Sequence, residues 1–341
     1  MFHTFLNSRW QVILMIALNL TLPFSANAAI TQSKDCFRGP FASYQQWIDM
    51  LSAKKNFDLT KFQLDFPQER YDRNKATLDC KSFLYQVDDL NIEGYYLAPK
   101  NSSKPLPVVV FNRGGNGPYG YVTFGKKMKL IADIAAQGYL VIGSQYRGSS
   151  SGRIKNNGWD EFGGADVQDV IELIDIASTL PNANAEKIAL VGWSRGVMQS
   201  YLVAKAIAAN RSNTHDLPNI SAIVAISGVT DENKALAWRP QMEKMYHKRV
   251  PNFEENRAQV LTSRSASKWV EKLPKETAYL LLHGENDKRV NVEQSIDFQQ
   301  QLDKHGLTNK LVVYPQGNHA LAKHRKEMTG EVSSWLATYL K

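Results

Sequence analysis

The chain has 341 residues, of which 43% are hydrophobic and 22% are charged, an ordinary balance for a globular protein with a sizeable core. Its formal net charge is +8, but the basic residues are scattered singly along the chain. Without runs of lysine and arginine between aromatic residues, the composition argues against a nucleic-acid partner.

The first 28 residues have the three parts of a secretory signal peptide. Arg9 is basic, residues 10–22 are mostly apolar, and Ala26-Asn27-Ala28 carries the small residues that signal peptidase requires. The apolar stretch is shorter than the roughly 20 residues that cross a bilayer, which makes a membrane anchor the weaker interpretation. We therefore predict cleavage after Ala28 and a periplasmic or secreted protein with no membrane span.

Cys36 and Cys80 are the two cysteines of the chain. In an oxidising compartment two such cysteines usually pair, so we predict a disulfide, with two unreactive thiols as the alternative. The bond would tie the start of the mature chain to the rest of the protein.

Residues 29–100 are predicted to form an N-terminal segment that packs on the core. They contain one amphipathic helix near 44–53 and strand-like runs at 82–87 and 93–97. We expect these runs to add antiparallel edge strands to the sheet of the following domain.

From residue 107 onward, short apolar runs alternate with longer helical patterns. The runs are rich in Val, Ile and Leu without polar alternation, as is typical of buried parallel strands. This order predicts a doubly wound, mostly parallel α/β sheet with helices on both faces over residues 101–341. The predicted strands are 108–111, 139–143, 188–191, 222–226, 279–283 and 311–314, and the predicted helices are 125–137, 165–180, 195–208, 292–305 and 327–340.

Residues 228–275 are polar and helical in pattern, and they separate two of the predicted strands. We interpret them as an insertion over the carboxyl-terminal edge of the sheet. Ligands of open α/β sheets bind at this edge.

The strongest local motif is Gly192-Trp193-Ser194-Arg195-Gly196, which directly follows a predicted strand and opens a predicted helix. A nucleophilic serine needs this context, because the sharp turn exposes its hydroxyl and glycines relieve crowding on either side. The motif predicts Ser194 as the nucleophile of a serine hydrolase with the α/β-hydrolase fold.

A serine hydroxyl needs a base, and the base needs a third group to fix its tautomer. Among seven histidines, His319 lies on a loop just after the last predicted strand and is the predicted base. His324 is the second choice, and His283, at the end of a buried strand, is interpreted as structural. The predicted acid is Asp287, on the loop after the preceding strand; the alternatives are Glu285 and Asp231.

The oxyanion of the tetrahedral intermediate needs two backbone N–H donors. The amide of Arg195, directly after the nucleophile, is the first predicted donor. The second is expected from the glycine-rich loop 112–117, with Gly115 preferred over Gly114. This loop lacks the Gly-Lys-Ser/Thr ending of a phosphate-binding loop, and no metal-ligand spacing is present, so neither a cofactor nor a metal is expected.

At these motifs the sequence resembles the catalytic domain of the prolyl oligopeptidase family of serine peptidases, especially its small bacterial members. The match covers residues 94–340. The resemblance implies that Arg289, two residues after the acid, anchors the substrate; a structural salt bridge is the alternative. The matching motifs are Phe111-Asn112-Arg113-Gly114-Gly115, Tyr146-Arg147-Gly148-Ser149, residues 161–167, the Ser194 pentapeptide, Asp287-Lys288-Arg289-Val290 and Gly317-Asn318-His319.

The chain departs from the family pattern in three places. Only residues 29–100 lie between the signal peptide and the core, which leaves no room for the β-propeller of many members. Arg113 stands where several members have an oxyanion-hole tyrosine, and Val197 replaces a glycine after the nucleophile and is expected to crowd the turn slightly.

The predicted function is hydrolysis of a short peptide or aminoacyl amide through an acyl-enzyme, with Trp193 and Arg289 contacting the substrate. The alternatives are a carboxylesterase and, less favoured, a non-catalytic envelope protein that binds a ligand. The expected partner is a small-molecule or short-peptide substrate. Side-chain specificity and oligomeric state have no signal in the sequence.

Overall fold

The computed structural model describes residues 30–150, 152–211 and 218–340. The predicted signal peptide, residues 1–28, lies outside this part of the chain. Within it, one mixed sheet has the strand order β1-β2-β3-β5-β4-β6-β7-β8-β9. The strands are β1 (Thr31–Asp35), β2 (Leu78–Val87), β3 (Leu90–Pro99), β4 (Leu106–Asn112), β5 (Leu140–Ser144), β6 (Ala183–Trp193), β7 (Asn219–Ile226), β8 (Ala278–Gly284) and β9 (Asn309–Tyr314).

The first three strands pair antiparallel, and β3 also joins β5 antiparallel. The remaining contacts, from β5 through β4 to β9, are parallel. The expected antiparallel edge strands are therefore part of the same sheet, and each predicted parallel strand is present.

The parallel strands are buried on both faces, because side chains along a strand alternate between opposite faces. Val108 and Val110 of β4 pack into one hydrophobic cluster, and Val109 between them packs into the other. Helices cover both faces. They are α1 (Tyr44–Ser52), α2 (Leu59–Asp65), α3 (Gln68–Thr77), α4 (Phe124–Lys126), α5 (Ala132–Ala135), α6 (Asp166–Thr179), α7 (Arg195–Arg211), α8 (Glu232–Trp238), α9 (Glu243–Arg249), α10 (Phe253–Arg264), α11 (Glu293–Lys304) and α12 (Arg325–Tyr339).

The helix predicted at 125–137 is broken into α4, a wide π-type turn (Lys127–Ile131) and α5. The break is at Lys129, whose φ of −101° and ψ of −128° are not helical. Lys127 beside it is buried and donates to Ser82 Oγ at 2.6 Å. The prediction of one continuous helix is therefore wrong at this position.

Residues 228–275 fold into α8, α9, α10 and three short 3₁₀ turns between β7 and β8. Asp231 caps the first of these helices, because its carboxylate accepts from the backbone N–H groups of Asn233 and Lys234. Within the described ranges, we find no helix with the length and apolar character that a bilayer crossing requires.

Cys36 and Cys80 form a disulfide that joins the end of β1 to β2. Their backbones also meet, because the N–H of Cys36 donates to the carbonyl of Cys80 at 2.8 Å. The sequence separation is 44 residues, and both cysteines are buried in one hydrophobic cluster.

We expect reduction of this disulfide to lower the free energy of unfolding by about 3–4 kcal/mol, since the bond restricts the unfolded chain. Urea denaturation with and without reductant measures the change, and a Cys36→Ser/Cys80→Ser variant should be insensitive to reductant. Because the bond lies at the β1–β2 edge of the sheet, hydrolytic activity per folded molecule should change less than stability. Equal midpoints in the two conditions would contradict the prediction.

Candidate active site

Ser194 stands at the turn between the end of β6 and the start of α7. Its φ is +56°, in the left-handed region that non-glycine residues rarely occupy. Its backbone N–H donates to Ile226 O at 2.8 Å, which fixes the turn against the neighbouring strand β7. Such strain costs about 1–3 kcal/mol and is typical of functional positions.

The two glycines of the motif are required by close backbone contacts. A Cβ on Gly192 would lie 2.5 Å from Gly196 O, and a Cβ on Gly196 would overlap Asn112 O. Val197 is fully buried, and its side chain fills the space into which a Cβ on Gly228 would point.

His319 lies on the loop after β9, and its ring is held by Asp287 from the loop after β8. The distance from His319 Nδ1 to Asp287 Oδ2 is 2.7 Å. Nδ1 therefore carries a proton, and Nε2 is free to act as a base. Ser194 and His319 line the same cavity. Among the described residues Ser194 Oγ forms no hydrogen bond to the ring, and such bonds often close only when substrate is bound.

Asp287 is buried, and both of its carboxylate oxygens accept hydrogen bonds. Its Oδ1 accepts from the backbone N–H groups of Arg289 at 2.7 Å and Val290 at 3.0 Å. Burial by itself would raise the pKa of Asp287, but hydrogen bonds from His283, His319 and the backbone hold it well below its ordinary value. The residue is thus a carboxylate that accepts from His319 throughout the neutral range.

His283 is a second histidine next to the acid, and it is fully buried. Its Nε2 lies 3.1 Å from Val290 O and 3.4 Å from Asp287 Oδ2. Both atoms are acceptors, so Nε2 carries a proton, and Ser295 Oγ donates to Nδ1 at 2.7 Å. The predicted structural role fits these contacts, although its contact with Asp287 was not anticipated.

The alternative residues are placed elsewhere. His324 Nε2 lies 2.9 Å from Pro315 O, and its ring packs on Tyr314. Glu285 accepts from the backbone N–H of Gln316, and Asp231 caps a helix. The structure brings none of the three onto His319 in place of Asp287.

The glycine-rich loop after β4 lies directly against the nucleophile. A Cβ on Gly114 would be 3.1 Å from Ser194 Cβ, and Gly115 has a φ of +77°. Within the described chain, the backbone N–H groups of Arg195 and Gly115 have no hydrogen-bond acceptor. These amides are therefore free to bind an oxyanion.

Arg113 is held by the loop itself, because each of its guanidinium nitrogens already has an acceptor in the protein. Its guanidinium is fully buried and donates to four backbone carbonyls, namely those of Gly114, Gly117, Tyr119 and Gln145, as well as to Ser149 Oγ. The side chain thus fixes the shape of the loop 112–117.

The side chain of Arg195 also contacts the glycine-rich loop 112–117. It binds Asp160 through two bonds of 2.8 Å, Asp166 at 2.6 Å and Gly115 O at 3.1 Å. Burial would raise the pKa of Asp160, but the Arg195 charge lowers it below its ordinary value. Asp160 also accepts from the N–H of Gly117 at 2.5 Å. The buried Arg195–Asp160 ion pair therefore holds the glycine-rich loop 112–117 at both Gly115 and Gly117.

A cavity of about 620 Å³ opens on the nucleophile. Trp193 and Arg289, the predicted substrate contacts, both line it, and Arg289 donates to Tyr119 Oη at 3.0 Å. Among the described residues there is no cluster of three or more metal-ligating His, Cys, Asp or Glu side chains.

The model of the "Prolyl oligopeptidase family" matches residues 124–341. The uncharacterized peptidase YuxL of Bacillus subtilis is 27% identical over 82% of this chain and 42% of its own length. The uncharacterized peptidase YtmA of the same organism is 22% identical over 74% of this chain and 91% of its own length. The chain thus spans less than half of the first relative and nearly all of the second.

Two solved structures share the fold. The acylaminoacyl peptidase of Pyrococcus horikoshii superposes with a TM-score of 0.63 and 23% identity, over 78% of this chain and 42% of that one. A mutant of the esterase rPPE superposes with a TM-score of 0.59 and 16% identity, over 87% and 96%. The comparisons confirm the predicted fold class and the resemblance found in the motifs.

Proposed function

The chain belongs to the prolyl oligopeptidase family of serine hydrolases, and on that premise we propose that it hydrolyses short peptides or aminoacyl amides through an acyl-enzyme. The observation that carries the proposal is the 2.7 Å bond between His319 and Asp287 in the cavity that also exposes Ser194. The three residues supply a nucleophile, a base and an orienting carboxylate.

The first half of the reaction forms the acyl-enzyme. Ser194 Oγ attacks the substrate carbonyl while His319 Nε2 takes its proton. The negative charge on the carbonyl oxygen is stabilised by the amides of Arg195 and Gly115. His319 then returns the proton to the leaving amine, and Asp287 stabilises the charged ring in both steps.

The second half releases the acyl group. Water enters, His319 removes one of its protons, and the resulting attack on the ester restores Ser194 and frees the carboxylic acid. Arg289 lines the same cavity, and we propose that it donates to a backbone carbonyl of a peptide substrate.

A carboxylesterase is the second candidate, because the same three residues cleave esters. The observation that favours it is that the esterase rPPE shares the fold over 96% of its own chain. Relatives described as peptidases, such as YtmA, favour the amide. Fold alone does not separate these two chemistries.

Matched substrates test the proposal. We expect the purified protein to hydrolyse a blocked aminoacyl amide and the ester with the same acyl group, and to lose both activities after a fluorophosphonate modifies it. Turnover of the ester alone would identify an esterase. Absence of both activities and of covalent labelling would instead identify a protein that only binds ligands.

We also propose that the protein is exported and that signal peptidase cleaves it after Ala28. The Cys36–Cys80 disulfide supports an oxidising compartment. Mass spectrometry of protein recovered from the cell envelope should find a chain that begins at Ala29, and retention of residues 1–28 would refute cleavage.

A further inference from the structure

Helix α8 forms one wall of the cavity that contains Ser194. Its residues Glu232, Ala235 and Leu236 line the cavity, and so does Arg239, the residue directly after the end of the helix. The spacing of three and four positions places the first three on one face of the helix. An acidic residue is thus the first cavity-lining residue of this wall, and the charged Arg239 is at the other end.

Glu232 is 4% exposed and is held in place by two neighbours. Its backbone N–H donates to Ser265 Oγ at 2.8 Å, and Tyr246 Oη donates to its Oε2 at 2.5 Å. Within the described part of the chain, Oε1 has no hydrogen-bond partner. One oxygen of this carboxylate is therefore fixed, and the other remains available to a molecule in the cavity.

The two arginines near Glu232, Arg264 and Arg195, form their hydrogen bonds and ion pairs with other residues. Arg264 donates to the carbonyls of Phe162 and Glu161, and Arg195 binds two buried aspartates. Apart from Arg239 and Tyr246, the other cavity-lining residues of the 228–275 insertion are apolar, and they include Leu236 and Met245. Burial in these surroundings raises the pKa of Glu232 to about 7. The charges of Arg264 and Arg195 offset this effect of burial only in part, so a cation entering the cavity would further stabilise the charged carboxylate.

We propose that Glu232 is a specificity residue that binds a cationic nitrogen on the acyl side of the substrate. The inference rests on the proposed acyl transfer at Ser194. Two parts of a substrate could supply this positively charged nitrogen. One is the side chain of a lysine or arginine residue that carries the scissile carbonyl, and the other is the free α-amine of an aminoacyl substrate.

The cations that line the cavity from outside residues 228–275 do not oppose this inference, because they have their own partners. Lys126 donates to Gly120 O at 3.0 Å, Lys129 pairs with Asp65, and Arg289 donates to Tyr119 Oη. Arg239 directly follows α8, and among the described residues no ion pair joins it to Glu232.

Three coumarin amides test the inference. Blocked lysine carries a side-chain cation, norleucine with a free amine carries an α-ammonium, and blocked norleucine is neutral and of similar shape. We expect wild type to cleave one of the first two with a kcat/KM about 10- to 100-fold above the neutral amide, as one charge-assisted contact provides. The amide that shows the preference identifies the source of the nitrogen.

Glu232→Gln keeps the shape of the side chain and should bring that ratio close to one. The matched control is Glu293→Gln, an exposed acid on α11, which should keep the wild-type ratio. Equal loss on all three amides would assign Glu232 a structural role and overturn the inference.

Wild type alone also decides the matter if the variant does not fold. Cleavage of the neutral amide as fast as both cationic ones would overturn the inference while leaving the proposed hydrolase intact. Cleavage of none of them, together with no fluorophosphonate labelling, would overturn the proposed function itself.

Discussion

Replacing Ser194 with Ala should lower kcat by about 10⁶-fold, the loss expected when the nucleophile of a catalytic triad is removed. The alanine cannot form an acyl-enzyme, and only the oxyanion donors and substrate binding remain to accelerate attack by water. Covalent labelling by a fluorophosphonate should disappear as well, since the probe reacts with the serine oxygen.

The fold should tolerate this change. Ser194 Oγ forms no hydrogen bond in the described part of the chain, and alanine has the same backbone preference against the left-handed φ of +56°. Ser334→Ala, an exposed serine on α12, is the matched control and should keep full activity and labelling. Labelling of the Ser194→Ala protein at the wild-type level would place the nucleophile elsewhere.

The parallel strands could be predicted because their sequence signal is local and strong. Residues such as Val108, Val109 and Val110 are apolar on both faces, which has few explanations other than a strand inside the sheet. Strand β1 gave no such signal, because its five residues are all exposed and lack the apolar side chains by which a buried strand is recognised.

Helices within the N-terminal segment, or in contact with it, were harder to predict than the helices that follow the catalytic motifs. The turn that contains the break at Lys129 has neither proline nor glycine, so the local sequence does not indicate a break. Lys127 in the same turn is instead held by Ser82, which lies 45 residues earlier in the chain. Helix α3 is polar along most of its length, so its sequence lacks the apolar face by which a helix is recognised.

The residues of the candidate site also differ in how far the sequence predicts them. Ser194, Asp287 and His319 were chosen because each lies at the end of a strand, a position that sequence alone reveals. Asp160 and Glu232 were not chosen, since their roles depend on contacts with distant residues. Asp160 meets Arg195 across 35 positions, and Glu232 faces the cavity only because α8 folds back over the sheet edge.

Asp287→Asn should lower kcat by about 10⁴-fold, because the substitution forces the wrong tautomer on His319. The backbone N–H groups of Arg289 and Val290 can only donate, so the amide oxygen must stay where Oδ1 is now. The amide NH₂ then faces His319 Nδ1, which has to become an acceptor. The ring proton moves to Nε2, and the nitrogen that should deprotonate Ser194 is blocked.

The neighbouring histidine should survive this substitution. His283 Nε2 has Val290 O as a second acceptor at 3.1 Å, so the Asp287→Asn protein keeps that contact, but it loses the buried charge that the fold stabilises and should unfold at a lower midpoint than wild type. Glu285→Gln, on the same loop and bound only to the backbone of Gln316, is the matched control and should leave kcat unchanged. Steady-state kinetics on one amide substrate compares the three proteins. A loss of less than tenfold for Asp287→Asn would show that another group orients His319, and the assignment of the acid would have to be withdrawn.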